Sequence, residues 1–146
     1  MRQEVSSAWI SIVLTQWALD SYLDLKHVKA FSASDYKESL RPDVKLLESY
    51  PSSEKFSNSK FWSPATVDNA PLPNGYKMKW HNLGERRVQL RLTVGLGLDL
   101  ELSKNAFLCH AYVKNDPKFE FRQIAKFKTR LELIRKRRYI ERGRIT

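Results

Sequence analysis

At 146 residues, 42% of them apolar and 12% aromatic, the chain is long enough for one domain with its own core and too apolar to stay disordered. A single cysteine, Cys109, rules out an internal disulfide and favours a reducing compartment, and no apolar run approaches the roughly 18 residues that a bilayer span needs. The net charge of +10 is carried by one half: residues 1–73 hold 8 Lys/Arg and 9 Asp/Glu, residues 74–146 hold 18 and 7. That imbalance makes nucleic acid the leading partner class, an acidic protein partner or simple solubility being the plainer alternatives. The start of the chain has a short apolar stretch without a small-residue cleavage site, so a secretory leader is not expected.

Ala8 to Leu14 has the β-branched and aromatic content of a strand. Thr15 is placed to cap a helix over residues 16–28, in which Ala18, Leu19, Tyr22, Leu23 and Leu25 recur at helical spacing. Ser34 or Asp35 can cap a second helix through Leu40. Pro42 cannot sit in a helix interior without losing a hydrogen bond, so a kink or restart is expected before Asp43 to Tyr50 continues, with Val44 and Leu47 turned inward. These elements predict a helical hairpin after the first strand. Residues 51–75 carry Pro51, Pro64, Pro71 and Pro73 among Ser and Asn, with no sustained period, and predict a long loop. Phe61 and Trp62 would pin it to the core, the less favoured alternative being a stacking platform for a base.

After Gly75 the period becomes two. Tyr76, Met78 and Trp80 fall on one face with Lys77 and Lys79 on the other; Val88, Leu90, Leu92 and Val94 alternate with Arg87, Gln89, Arg91 and Thr93. Leu98 to Leu102 alternates again, with Asp99 and Glu101 on the polar side. In Asn105 to Lys114, Phe107, Cys109, Ala111 and Val113 belong against a core, while Leu108, His110, Tyr112 and Lys114 point away. The expected fold is therefore α+β: an N-terminal strand and helical hairpin, then an antiparallel sheet of about four strands with one wet face, then a C-terminal helix. Asp116 and Pro117 suit the cap and first position of that helix, whose Ile124, Phe127, Leu131 and Ile134 form an apolar stripe with Lys126, Lys128 and Arg130 in solvent. Residues 139–146 close the described pattern as a basic tail that can frame an RNA groove or simply fray.

No phosphate loop, dinucleotide glycine fingerprint, paired CxxC or HExxH occurs, and three scattered histidines with one cysteine make a metal site improbable. What the residues do supply is the means for metal-free phosphodiester chemistry. RNA carries its own nucleophile, so a catalyst has to accept the 2′-OH proton, stabilise charge on phosphorus and protonate the leaving oxygen. On the outward face, Arg91, His110, Tyr112 and Lys114 are candidates for that chemistry and Lys77, Lys79 and Arg87 for holding RNA, joined by Lys126, Arg135 and Arg137 from the C-terminal helix and the basic run after it. Each has a plainer reading. Arg87 and Arg91 could pair with Asp99 and Glu101, His110 could bond a strand neighbour, Tyr112 could pack, and Lys77 and Lys79 could guard an edge strand.

The succession of strand, Thr-x-x-Ala helix (TQWALDSYLDL), second helix and antiparallel strands resembles the RelE/ParE toxin superfamily, above all its HigB-like and phage-derived branch. That branch often ends in a strand of the form L-H-x-F-x-K-K before a Pro-initiated basic helix. Here His110-Ala111-Tyr112-Val113-Lys114 matches it, with Cys109 as an insertion after Leu108 and Asn115 in place of the second lysine. The resemblance implies one RelE-like domain over residues 1–146, acting as the toxin of a type II toxin–antitoxin system. It implies a cytoplasmic, cofactor-free endoribonuclease that cleaves mRNA on the ribosome and is neutralised by an antitoxin protein. A ParE-like toxin that poisons gyrase without cutting RNA shares the fold, so that alternative stays open beside a plain nucleic-acid-binding module.

Overall fold

The computed structural model describes residues 9–146. The expected first strand starts at Ala8, which lies outside the described residues; β1 itself is Ser11–Thr15. Thr15 ends it and does two jobs with one fully buried hydroxyl. Its Oγ1 accepts from Ala18 N at 3.2 Å, capping α1 (Gln16–His27), and donates to Leu108 O at 2.7 Å. The cap and the expected span agree with the sequence. One inward residue does not: Leu23 is 50% exposed, because Ala18, Tyr22 and Leu25 already fill the side of α1 that meets the sheet.

A second helical stretch begins two to three residues earlier than expected, at a capping box in which Ser32 and Asp35 bond reciprocally across α2 (Ala33–Asp35). The expected restart at Pro42 is there, without a gap in the helical run. The turn before it, Tyr36–Leu40, widens to π-helix, with Arg41 N reaching back to Tyr36 O, and α3 (Arg41–Lys45) takes the proline near its start. A 3₁₀ turn, Leu46–Ser49, completes the stretch, with Val44 and Leu47 buried as the spacing requires.

Residues 51–75 are not a long loop. After a 3₁₀ turn at Glu54–Ser57 they form β2 (Trp62–Val67) and enter β3 (Ala70–Leu83) through the two-residue turn Asp68-Asn69, both at positive φ. The prolines misled because they stand where a missing N–H costs little: Pro64 is on an edge strand, and Pro71 lies before the stretch of β3 that β4 (Val88–Leu96) reaches at Gly75. Phe61 and Trp62 do pin the segment. Both are buried, and Trp62 lies flat on Tyr76 at 5.0 Å, so neither is available to stack a base.

The sheet is mixed and six-stranded, in the order β2-β3-β4-β5-β1-β6. β2 to β5 (Asn105–Val113) form the antiparallel meander, β1 runs parallel to β5, and β6 (Glu141–Ile145) pairs antiparallel with β1. Two expectations fail here. Leu98 to Leu102 is a loop that buries Leu98 and Leu102 and leaves Leu100 97% exposed. Residues 139–146 are not a fraying tail, because β6 covers the β1 edge and Ile145 packs into the core.

The helices of the first third cover one face of the sheet; α4 (Pro117–Arg135) covers the other, with Ile124, Phe127, Leu131 and Ile134 buried. The expected wet face is thus largely roofed. A bulge at Cys109 also breaks the period of β5: Thr93 pairs with His110 and Val94 with Leu108. Phe107 and Cys109 therefore share the α4 side with His110 and Tyr112, while Leu108 and Ala111 face the other core. Cys109 is fully buried and its thiol pKa is pushed up to about 12 by that burial, so it is inert packing.

What seats α4 is a pair of glycines. Gly75 and Gly95 are cross-strand partners, and a Cβ added at Gly75 would stand 2.9 Å from Phe127 Cε2, 3.0 Å from Leu131 Cδ1 and 3.2 Å from Leu72 Cβ. Gly75→Val should destabilise the protein by about 1–3 kcal/mol through overpacking. The gain in strand propensity, under about 1 kcal/mol, opposes this without cancelling it. Urea unfolding measures the net effect, and an unchanged midpoint would show that α4 is not held by this notch.

Candidate active site

Three adjacent strands set the site by register alone. Lys79 on β3 pairs with Arg91 on β4, and Arg91 pairs with Tyr112 on β5, which makes a row Lys79–Arg91–Tyr112 facing α4. The next row is Lys77–Thr93–His110. Lys114 leaves β5 with its N–H bonded to Gln89 O at 2.7 Å, so it stays beside the first row. Arg91 is only 5% exposed; its Nη1 donates to Leu90 O at 3.1 Å and Trp80 O at 3.4 Å, and neither Asp99 nor Glu101 pairs with it.

Asp116 caps α4 by accepting from Phe119 N at 2.9 Å, with Pro117 at the first helical position. This start drops Glu120, in the first turn, onto the cations. Glu120 Oε1 stands 3.8 Å from Lys77 Nζ, while Glu120 Oε2 and Tyr112 Oη are both buried without a hydrogen-bond partner. Burial, and then the neighbouring Glu120 charge, raises the Tyr112 pKa far above the phenol range, so this hydroxyl remains a proton donor. Outside these groups lies an open groove of about 550 Å³, walled by Lys77, Lys114, Asn115 and Glu120 and, from the β2–β3 turn, by Thr66, Asp68 and Asn69.

Four cations gather here around Glu120, with Asp68 also on the groove wall. The pKa of Lys77 is lowered by burial, with Arg91 and Lys114 adding to the effect against Glu120, and that of Lys79 by burial and then Lys77, Arg91 and Lys114. Cations crowded to this degree repel one another until an anion joins them. A phosphate, which takes several charge-assisted hydrogen bonds at once, is the matching guest.

His110 opens toward a different surface. It stacks on Tyr112 at 5.6 Å but is 3% exposed, donating from Nε2 to Gln123 Oε1 at 3.1 Å with Nδ1 against the Thr93 hydroxyl at 3.1 Å. It sits under a separate cleft between α1 and α4 that Asp20, Asp24, Lys126 and Arg130 line. Burial, then the nearby Arg130 charge, lowers its pKa to about 3, so at neutral pH it carries no charge and props up Tyr112. Of the expected RNA-holding residues, Lys77 and Lys79 join the row. Arg87 is exposed in the β3–β4 turn at φ 55°, and Lys126 belongs to the cleft above His110. Arg135 is about 22 Å along the helix from Glu120, where it bonds Glu132 at 2.7 Å and Pro73 O at 3.0 Å. Arg137 pairs with Glu101 at 2.8 Å.

Sequence reasoning missed Glu120, Thr93 and Gln123. Glu120 stands alone among the residues around it, and only the helix start at Asp116-Pro117, which places a carboxylate in the favoured first turn, hinted at it. Among the described residues no three His, Cys, Asp or Glu side chains gather as a metal site.

A neutral, buried His110 has a pH signature. Its folded pKa lies below the unfolded value of 6.5, so between about pH 3 and 6.5 the unfolded chain binds the extra proton, and this contribution to stability is complete above 6.5 and lost as pH falls. The His110 ring should therefore show no NMR titration between pH 8 and 5. The fall in unfolding free energy below pH 6.5 should be shallower in His110→Gln; a native His110 titrating near 6.5 contradicts the placement.

Compared with known proteins, the chain matches no family model and no curated protein sequence.

Proposed function

We propose that this protein is a RelE-like toxin of a type II toxin–antitoxin system, a metal-independent endoribonuclease that cleaves mRNA on the ribosome in the cytoplasm and is held in check by an antitoxin protein. The observation that carries the reading is the convergence of Lys77, Lys79, Arg91, Tyr112 and Lys114 from three strands and a loop onto one stretch of the sheet, with Lys77 and Lys114 lining the groove beside it. Convergence is what cleavage of a phosphodiester needs and what a merely soluble basic surface lacks. The order strand, helix, helical stretch, antiparallel meander and Pro-initiated helix supports the same reading. So does the bulge at Cys109, the residue that the motif comparison treats as an insertion.

The roles follow from chemistry. Lys114, exposed in the groove, holds the scissile phosphate, and Arg91, fixed behind it by burial and two carbonyls, adds its charge to the field that stabilises the one growing on it. Tyr112 donates a hydrogen bond. The lysines, with lowered pKa values, are the ammonium groups readiest to protonate a leaving 5′-oxygen.

Induction of the chain alone in a bacterium should arrest growth, and primer extension should show breaks within translated messages. Arrest with intact messages would favour the gyrase-directed alternative, and unimpeded growth the binding module. Cleavage should survive a chelator. Arg91→Ala or Lys114→Ala should lower the cleavage rate by roughly 10²–10³-fold, the usual loss on removing one positioned charge stabiliser. RNA affinity should change far less, since the other cations still hold the polyanion. Full-rate cleavage by the double variant would refute the site.

A further inference from the structure

We infer that the sheet face turned away from the charged row carries a second site, an apolar cavity that takes one small uncharged aromatic molecule; this stands apart from the endoribonuclease reading. The cavity measures about 100 Å³ and lies between the sheet and the helices of the first third. Leu90 and Leu92 belong to its lining, so it stands across β4 from Arg91, which lies between them and faces α4. Ala18 on α1 and Ala111 on β5 keep it open, since a longer side chain at either position would project into it. An unfilled cavity costs stability in proportion to its volume, and here two alanines stand where larger apolar residues would remove that cost.

The backbone is locally rebuilt around this space. Tyr36, Leu40 and Arg41 line it, and they span the one π turn among the described residues. Arg41 N reaches back to Tyr36 O, so the turn holds one residue more than an α-turn. In an uninterrupted α-helix Leu40 and Arg41 would be rotated by about 100° from the places they hold. Turns of this kind gather at functional sites. The lining then selects the guest. Tyr22, Phe31 and Tyr36 make a wall of rings, their centroids 5.6, 5.3 and 6.4 Å apart. Trp80 adds ring surface without a donor, because its Nε1 already bonds Asp43 Oδ2 at 2.9 Å. A water needs about two to four polar partners and is poorly served here, whereas an aromatic ring gains edge-to-face contacts. A dry engineered cavity of about 150 Å³ takes benzene, so the smaller volume here limits the guest to a single ring. The one charged residue of the lining, Arg41, donates from Nη2 to Thr146 O at 2.7 Å in an exposed bond, beside Ile145, which lines the cavity. The end of β6 is therefore the door, latched to the π turn.

The test uses the full chain, its leucine and isoleucine methyl groups labelled for NMR, with benzene as the probe. Benzene should shift the methyl resonances of Leu90, Leu92 and Leu108 to saturation and leave those of Leu131 and Ile134, in the other core, in place. Ala18→Leu, which fills the cavity from α1, should weaken binding by about tenfold or more. Ala111→Val fills it from β5 and should act in the same direction, so the test survives if the first variant does not fold. Arg41→Gln, which cuts the latch, should speed benzene exchange without weakening its binding. Benzoate, the same ring with a charge that the lining does not solvate, should not compete. Shifts spread evenly over both cores, undiminished binding by the filled variants, or displacement of benzene by benzoate would each overturn the assignment. Exchange no faster in Arg41→Gln would overturn the door at β6. None of these readouts depends on RNA cleavage.

Discussion

The seating of α4 on the Gly75–Gly95 pair is the constraint on which the rest depends. Leu131 and Phe127 occupy space that any other residue pair would fill with side chain, so the helix lies close to β3 and β4. Its helical spacing then decides what lies nearer its start. With Ile124 and Phe127 fixed on the sheet, Gln123 must reach His110 and Glu120 must hang over Lys77. Packing among apolar groups thus sets the geometry of charged ones one and two turns away.

The charged row is a local departure from what stabilises a domain. Arg91 and Tyr112 are buried, two lysines are pressed toward their neutral forms, and a carboxylate oxygen and a phenol have no bond partners. A structural sheet face roofed by a helix would be apolar, as the other end of this same interface is, with Leu72, Leu131 and Ile134. Violations of local rules concentrate at functional sites, where the stability cost is offset elsewhere in the core. Here the offset is large and close: two apolar clusters meet on opposite faces of the one sheet.

Legibility in the sequence tracked how local each cause was. The cap at Thr15, the Asp116-Pro117 helix start and the stripe from Ile124 to Ile134 depend on residues within a turn of one another, and the spacing alone identifies them. The face of β4 was legible for the same reason. β2 was not, because Pro64, Pro71 and Pro73 look like loop residues until it is known which N–H groups face no neighbour. Leu98 to Leu102 alternates as a strand does, but Gly97, at φ 63°, turns the chain before it, and two of its leucines fill the core from a loop. Period two also failed at Cys109, where one extra residue turned His110 and Tyr112 to the Cys109 side. For the site, the residue types on β3, β4 and β5 were readable and their roof was not. The distant Arg135 and Arg137 looked equivalent to the row only because charge carries no position.

The parallel pairing of β1 with β5 bears on how the molecule comes into being. Ser11 meets Asn105, 94 positions later, and β1's other neighbour, β6, comes later still. At about 5–20 residues per second on the ribosome, β1 waits roughly 5–19 s for its first partner. The α1 helix can form early, but the middle of the sheet cannot close, and long-range pairing of this kind is slow even afterwards. Glu120 is made later again than β5. The cationic row and the helix that roofs it therefore exist together only once the last third of the chain has been translated.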